Sequence, residues 1–400
     1  MHKTAKSSNM FSFRILYLSA LFFIVEGLSV LQAQANPPSQ NLAPVIIFDH
    51  RDGSSIKESK AKLPQKREQR QPSKAESLHD VNTSEKDFDS NLSGIKSNSQ
   101  EAWFNRYQTK RNAFIVNDGK ISASEKSALE KLISDSKASI NGTFAYTYMQ
   151  LRETRNQPES LHLLKQAIAI DPNNSLLAAE TAWIAERTGD KDLLKKSLNT
   201  YRSSGYITNV QMKFASWMLE AIPQNGLIIT NGENDTYSLW LSNSSNKLII
   251  SLAMLEDLAW LNKTIAKWDA GIQFKKSPSE QEFLNRIAKS KKPCYLAWTV
   301  HPNLLAPYAS QLFPIGPLLQ VNDQSNDNIV RLRNFYLKEE VKEYLISSQW
   351  KNDTYAVLLA NLIPGIQLLI QQTQISDSQR KVLQEMLSNI SVNSPNAPGR

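Results

Sequence analysis

The chain carries one cysteine, Cys294, in 400 residues. A single thiol excludes an internal disulfide framework and any cysteine-rich zinc site. Glycine and proline number only 13 and 17, too few for a collagen-like or low-complexity chain. Spanning helices need about 20 consecutive apolar residues, and only one stretch near the N-terminus comes close, which excludes a polytopic membrane protein. Four motifs are missing as well: GxGxxG, the P-loop GxxxxGK(S/T), HExxH and the GxSxG nucleophile elbow. Their absence removes the commonest dinucleotide, phosphate, zinc-protease and serine-hydrolase readings. No set of catalytic residues, no metal-ligand spacing and no cofactor is called for. Hydrophobic residues still make up 41% and charged residues 21%, so most of the chain has the material for a buried core.

What is present begins with an export signal. His2, Lys3, Lys6 and Arg14 form a basic leader, Ile15–Val25 is an apolar run, and Ala33-Gln34-Ala35 is a small-x-small site before Asn36-Pro37-Pro38. That order describes a cleavable secretory signal over residues 1–35, cut after Ala35. The alternative is an uncleaved anchor over residues 13–33, but Glu26 interrupts it. Either way the expected location is a periplasm or cell envelope. Lys3, Lys6, Arg14 and Glu26 supply +2 of the formal +8, leaving +6 for the mature chain. Part of that surplus lies in residues 57–74, KESKAKLPQKREQRQPSK. No aromatic residue interleaves with these charges, so a base-stacking platform for nucleic acid is absent. A solvated linker or contact with an acidic envelope surface fits better.

Residues 36–100 are polar and lack apolar periodicity, the composition of a disordered tether. Pro44–His50 is an apolar island within it. From residue 101 to 222 helical periodicity takes over. Phe144, Tyr148 and Leu151 lie on one helix face, Asn156-Gln157-Pro158 breaks it, and Leu161, Leu164, Ala167 and Ile168 line a second helix that ends at Asp171-Pro172. Ala178, Ala182, Ala185, Leu194 and Leu198 repeat the pattern around the turn Thr188-Gly189-Asp190, and a further helix spans 211–221. Residues 140–222 thus resemble tetratricopeptide repeats, although Tyr148 and Ser160 replace that family's small-residue pair. The resemblance implies stacked helix pairs, which in that family usually bind peptides or partner proteins; the alternative is a plain helical bundle that supports the next domain.

Over residues 223–325 short apolar runs alternate with helical patterns. Gly226–Thr230, Lys247–Leu252, Pro293–Val300 and Gly316–Val321 read as strands. A helix beginning at Tyr237, and others over Leu255–Trp268, Pro278–Ala288 and Asn303–Leu312, separate them. The alternation predicts a small Rossmann-like parallel sheet of three or four strands. Helices over 328–346, 353–372 and 376–390 make a C-terminal helical region, 326–392, whose middle helix should split at Pro364-Gly365; residues 393–400 are a tail. The expected fold class is therefore mixed α and α/β.

In such sheets ligands sit beyond the carboxyl ends of the strands. Those ends carry Asn231, Glu233, Asn234, Asp235 and Thr236 after the first strand, Glu256 and Asp257 after the second, and Thr299 and His301 after the third. Carboxylates and amides there suit a cation or sugar hydroxyls. The structural alternative is a turn at Asn231-Gly232, a helix cap at Asp235 or Thr236, and a turn start at His301. ITNGENDTYSLW, residues 229–240, resembles the signature T-N-G-D-N-D-T-(F/Y)-P-L-W of bacterial membrane proteins related to the transmembrane protein O-mannosyltransferase. Thr230, Asn231, Gly232, Asn234, Asp235, Thr236, Tyr237, Leu239 and Trp240 match, while Glu233 and Ser238 depart. The likeness runs over about 222–325. Glycosyl transfer in such enzymes is expected in the membrane-embedded part, which this chain lacks, so the resemblance implies a soluble accessory domain without catalytic residues.

Two classes of function follow. One is an exported binding or scaffold protein, with the accessory subunit of a membrane glycosyltransferase as a close variant. The other is an envelope enzyme of glycan metabolism using Asp235 with Glu233 or His301 as acid and base. Burial of Asp235 as a backbone cap would argue against the enzyme.

Overall fold

Capping side chains set many of the helix starts. Ser122 with Glu125, Thr208 with Gln211 and Ser279 with Glu282 each exchange the reciprocal bonds of a capping box. The computed structural model describes residues 98–118, 121–244, 247–321, 328–347, 349–353 and 355–393. The export signal, the tether with its Pro44–His50 island, up to residue 97, and the tail from residue 394 lie outside them. Among the described residues seven helices come first: α1 (Gln100–Asp118), α2 (Ala123–Ile140), α3 (Phe144–Thr154), α4 (Ser160–Ile170), α5 (Leu176–Thr188), α6 (Lys191–Ser203) and α7 (Asn209–Glu220). α3 packs on α4 and α5 on α6. Gly189, at φ +81°, ends α5 in the left-handed conformation that lets the chain turn directly into α6.

Strands and helices then alternate: β1 (Leu227–Thr230), α8 (Glu233–Ser242), β2 (Leu248–Ser251), α9 (Leu258–Trp268), α10 (Glu280–Ile287), β3 (Cys294–Ala297), the short α11 (Pro302–Leu305), β4 (Leu312–Pro314) and β5 (Leu318–Val321). The sheet has five strands in the order β2-β1-β3-β5-β4. β1 runs parallel to β2 and β3, with Leu227 opposite both Leu248 and Cys294. β5 runs antiparallel to β3 and to β4. The sheet is therefore mixed, and not the parallel sheet of three or four strands that the alternation predicts. A hairpin is the reason: Gly316, at φ +102°, reverses the chain between β4 and β5. A Cβ built there would sit 2.7 Å from the Phe335 ring, so the turn admits only glycine. β4 lies at the end of the segment that reads as one helix over 303–312.

C-terminally come α12 (Asn328–Tyr336), α13 (Glu339–Ser347), a 3-10 helix over Ala356–Leu362, α14 (Ile363–Ile370) and α15 (Asp377–Asn393). The expected split falls where Pro364 starts α14, in the first turn where its missing N–H costs nothing. Among the described residues no helix is long and apolar enough to cross a membrane.

Two buried clusters hold the described residues together. The smaller runs from Phe104 to Ile184. The larger runs from Ala179 to Ile390 and crosses both expected boundaries, at 222 and 325. α5 belongs to both: Leu177 and Ile184 face the smaller, Ala179, Ala182 and Trp183 the larger. α5 is thus shared between the two cores.

Candidate functional site

β1 ends at Thr230, and α8 begins at Glu233, four residues earlier than the expected start at Tyr237. The residue at the cap position is Gly232, and Asp235 caps the helix from its third position. The Asp235 carboxylate accepts the backbone N–H groups of Asn231 and Gly232, both at 3.3 Å, and the hydroxyl of Thr299. Burial raises the Asp235 pKa, and these three donors oppose the rise. Thr236 donates to the Gly232 carbonyl, so the Thr230 hydroxyl 2.6 Å away supplies the proton of their mutual bond. Asn234 is exposed; its carbonyl accepts from Gln211 at 2.9 Å and its side chain from Tyr355 at 3.5 Å. His301 caps α11, with Nδ1 accepting the Asn303 N–H at 3.2 Å. Asn231, Asp235 and Thr299 are thus brought together, with His301 two residues on along the chain from Thr299.

Glu233 points elsewhere. Its Oε1 accepts from Arg152 and from Arg155, both at 2.5 Å. Arg152 also bonds Glu180, whose side chain is wholly buried. Arg155 stacks on Trp183, its guanidinium carbon 3.9 Å from the ring centroid. Burial alone would raise the Glu233 pKa, but the two arginines hold it well below the usual carboxylate range. Burial would likewise lower that of Arg152, and Glu180 and Glu233 together raise it. Next to this cluster Asn156 donates to the Ala253 carbonyl beyond β2 at 2.9 Å and accepts from the Trp183 indole at 2.8 Å. Arg187 bonds Asp257 at 2.6 Å, while Asp257 also caps α9 through the Trp260 N–H. Glu256 is exposed, and its carbonyl accepts from Ser277 at 2.9 Å.

The carboxyl ends of β1 and β2 are therefore filled by α3, α5 and the turn after α3. Arg152, Arg155, Asn156 and Arg187 are the residues that strand-end reasoning misses. Their signal lies in the helical segment: Arg152 is four residues after Tyr148 and Arg155 four after Leu151, so both fall on the buried face. Glu180 stands inside the apolar run LLAAETAWIA in the same way.

No protein-family model, curated protein or solved structure matches the chain. Function is therefore read from the site. Among the described residues no three His, Cys, Asp or Glu side chains gather as a metal site. Cys294 is buried in β3, where burial pushes its thiol pKa far up and keeps it protonated.

The cap reading of Asp235 is measurable. Asp235→Ala should lower unfolding free energy by about 2 kcal/mol, through the lost cap and two stranded N–H groups. Asp235→Asn, which keeps an acceptor, should lose less than half of that in urea unfolding.

α5 also carries an unusual carboxyl group. Burial pushes Glu186 of α5 up to about 7 from 4.5, against Lys267 and the Trp260 indole of α9 and Lys191 of α6. A raised acid binds its proton more tightly when folded. Its contribution is fully present below about pH 4.5 and is lost as pH rises through about 7. Because Glu186 is partly exposed, about 1–2 kcal/mol of pH-dependent stability is expected after allowance for screening. Urea unfolding of wild type minus Glu186→Gln should fall by that amount across this window, and a flat difference would refute the assignment.

Proposed function

We propose that the chain is an exported bacterial cell-envelope binding or scaffold protein, in which tetratricopeptide-like helices and an accessory α/β unit mediate protein or glycan-related interactions. The observation that carries this reading is the use of the strand-end polar groups: Asp235 caps α8, Glu233 neutralises two arginines, and His301 caps α11. Polar groups engaged in this way hold a fold and leave little for chemistry on a substrate. The acid–base pairing of Asp235 with Glu233 is disfavoured on the same ground, since the two carboxylates face different partners.

The likeness of residues 229–240 to the membrane-protein signature fits an accessory role beside a membrane glycosyltransferase. Six of the nine matching residues, Thr230, Asn231, Gly232, Asn234, Asp235 and Thr236, belong to the cap and turn, and Tyr237, Leu239 and Trp240 are buried on α8, so a shared way of ending a strand and starting a helix accounts for much of the likeness.

The test is a thermal-shift series on the purified chain with Ca²⁺, Mg²⁺, nucleotide sugars and envelope glycans, each repeated on Asp235→Asn. The expected result is no ligand-specific shift, with a lower Tm for the variant throughout. A specific stabilisation that disappears in Asp235→Asn would favour the glycan enzyme. Co-purification with a membrane glycosyltransferase from envelope extracts would identify the accessory-subunit form.

A further inference from the structure

At the opposite end of the sheet the charge is one-sided. α9 and the segment leading into β3 meet at the amino ends of β1 and β3: the Trp268 indole bonds the Pro293 carbonyl at 3.2 Å, and the Leu227 N–H bonds the same carbonyl at 3.1 Å. Around this point Lys267, Arg286, Lys289, Lys291 and Lys292 are all exposed. Asp269, at the end of α9, is engaged by the Ser290 hydroxyl at 2.8 Å and the Gly271 N–H at 3.0 Å and also feels Lys292 and Arg286, and Glu282 stands one turn before Arg286 on α10. Lys292 is spent on the Trp268 carbonyl at the end of α9. Lys267 lies toward Glu186. Arg286, Lys289 and Lys291 form no ion pair among the described residues.

We propose that this face docks on an anionic phospholipid surface, with Arg286, Lys289 and Lys291 as its centre. Three observations select a bilayer over an acidic protein. Lysine dominates the patch, and lysine is depleted in protein–protein interfaces, where aromatic and arginine anchors lead. The patch has no exposed aromatic or large aliphatic side chain; the exposed large hydrophobics lie at Leu161, Ile168, Ile170, Leu193 and Val330. Long, mobile ammonium groups suit a fluid surface of diffuse negative charge, which holds each of them by a similar increment. The inference is independent of the strand-end site and goes beyond the partner reading above.

Sedimentation of the full chain with phosphatidylglycerol-containing vesicles tests it. The variant is Arg286→Gln/Lys289→Gln/Lys291→Gln, and the control, Lys131→Gln/Lys137→Gln/Lys165→Gln, removes equal charge from exposed positions of α2 and α4. At roughly fivefold per basic residue, the variant should partition about 100-fold less and the control within about threefold of wild type. Lys289→Arg/Lys291→Arg keeps the charge and should keep the binding, which separates a lost contact from a lost fold. Equal loss in variant and control would reduce the effect to net charge and overturn the proposal. Equal binding to pure phosphatidylcholine would assign the contact to the apolar leader and overturn it too. Capture by immobilised polyglutamate, dependent on the same three residues, without vesicle binding would make the patch a protein-docking face instead.

Discussion

Glu233→Gln is expected to lower the free energy of unfolding by about 3–5 kcal/mol, the cost of removing one partner from a buried ion pair. The four charges of the cluster balance: Arg152 and Arg155 against Glu180 and Glu233. Glutamine has nearly the same shape but leaves a net positive charge in a site whose arginine side chains are only 12% and 11% exposed. Arg152 keeps Glu180, whereas Arg155 loses its ion-pair partner. The loss should therefore be partly recovered in Arg155→Met/Glu233→Gln, where the uncompensated charge is gone and the Trp183 ring keeps an apolar neighbour. Urea unfolding of the two single variants and the double variant supplies the cycle. A loss below about 1 kcal/mol for Glu233→Gln would place the pair in the class of surface ion pairs. The sign with pH is also determined. A carboxylate whose folded pKa is depressed contributes stability above its unfolded value of 4.5 and loses it as pH falls toward the folded value. Glu233→Gln should consequently flatten the acid side of the stability curve, while Glu186→Gln flattens the region from about 4.5 to about 7.

Gly365→Ala should cost about 2–4 kcal/mol, from overpacking together with a disturbed buried hydrogen bond. A methyl group there would meet the Tyr336 hydroxyl first and lie 2.9 Å from its ring carbon Cε2. Tyr336 has no room to withdraw. Its side chain is fully buried, its hydroxyl donates to the Leu362 carbonyl at 2.9 Å, and the Phe335 ring stands edge-on to it at 4.9 Å. Thermal unfolding of Gly365→Ala in the wild-type and Tyr336→Phe backgrounds separates the two contributions. Removing the hydroxyl takes away the first clash, so the glycine substitution should cost less in the second background. An equal cost in both would mean that α14 shifts as a body instead of pressing on the tyrosine.

How much of this was legible depended on how local the cause was. β1, β2 and β3 are short β-branched or apolar runs, and their neighbours in the chain suffice to mark them. α3 and α5 announce themselves by apolar spacing, and Pro364 splits its helix for a reason contained in one residue. The hairpin was hidden because β4 spans only Leu312–Pro314 and directly follows a helical stretch. The candidate loop was legible as a place and illegible as a role. Asn231 to Thr236 do stand at a strand end, yet the destination of Glu233 depends on arginines 81 and 78 residues earlier. Local pattern carries no information about that pairing. What the sequence did offer was a pair of charges on an apolar helix face, and a buried charge implies a partner somewhere.

That separation has a consequence in time. A chain that emerges N-terminus first, from a ribosome or from a translocation channel, presents Arg152 81 residues before Glu233. Through that interval the small core from Phe104 to Ile184 has its own side chains at hand, but closing it over Arg152 and Arg155 would bury two cations against Glu180 alone. The early helices therefore have reason to stay open on that face. Arrival of Glu233 with β1 is what allows them to close, and β1 in turn waits for β3 as its second neighbour. The cluster thus favours late closure of the N-terminal helices, once Glu233 has emerged.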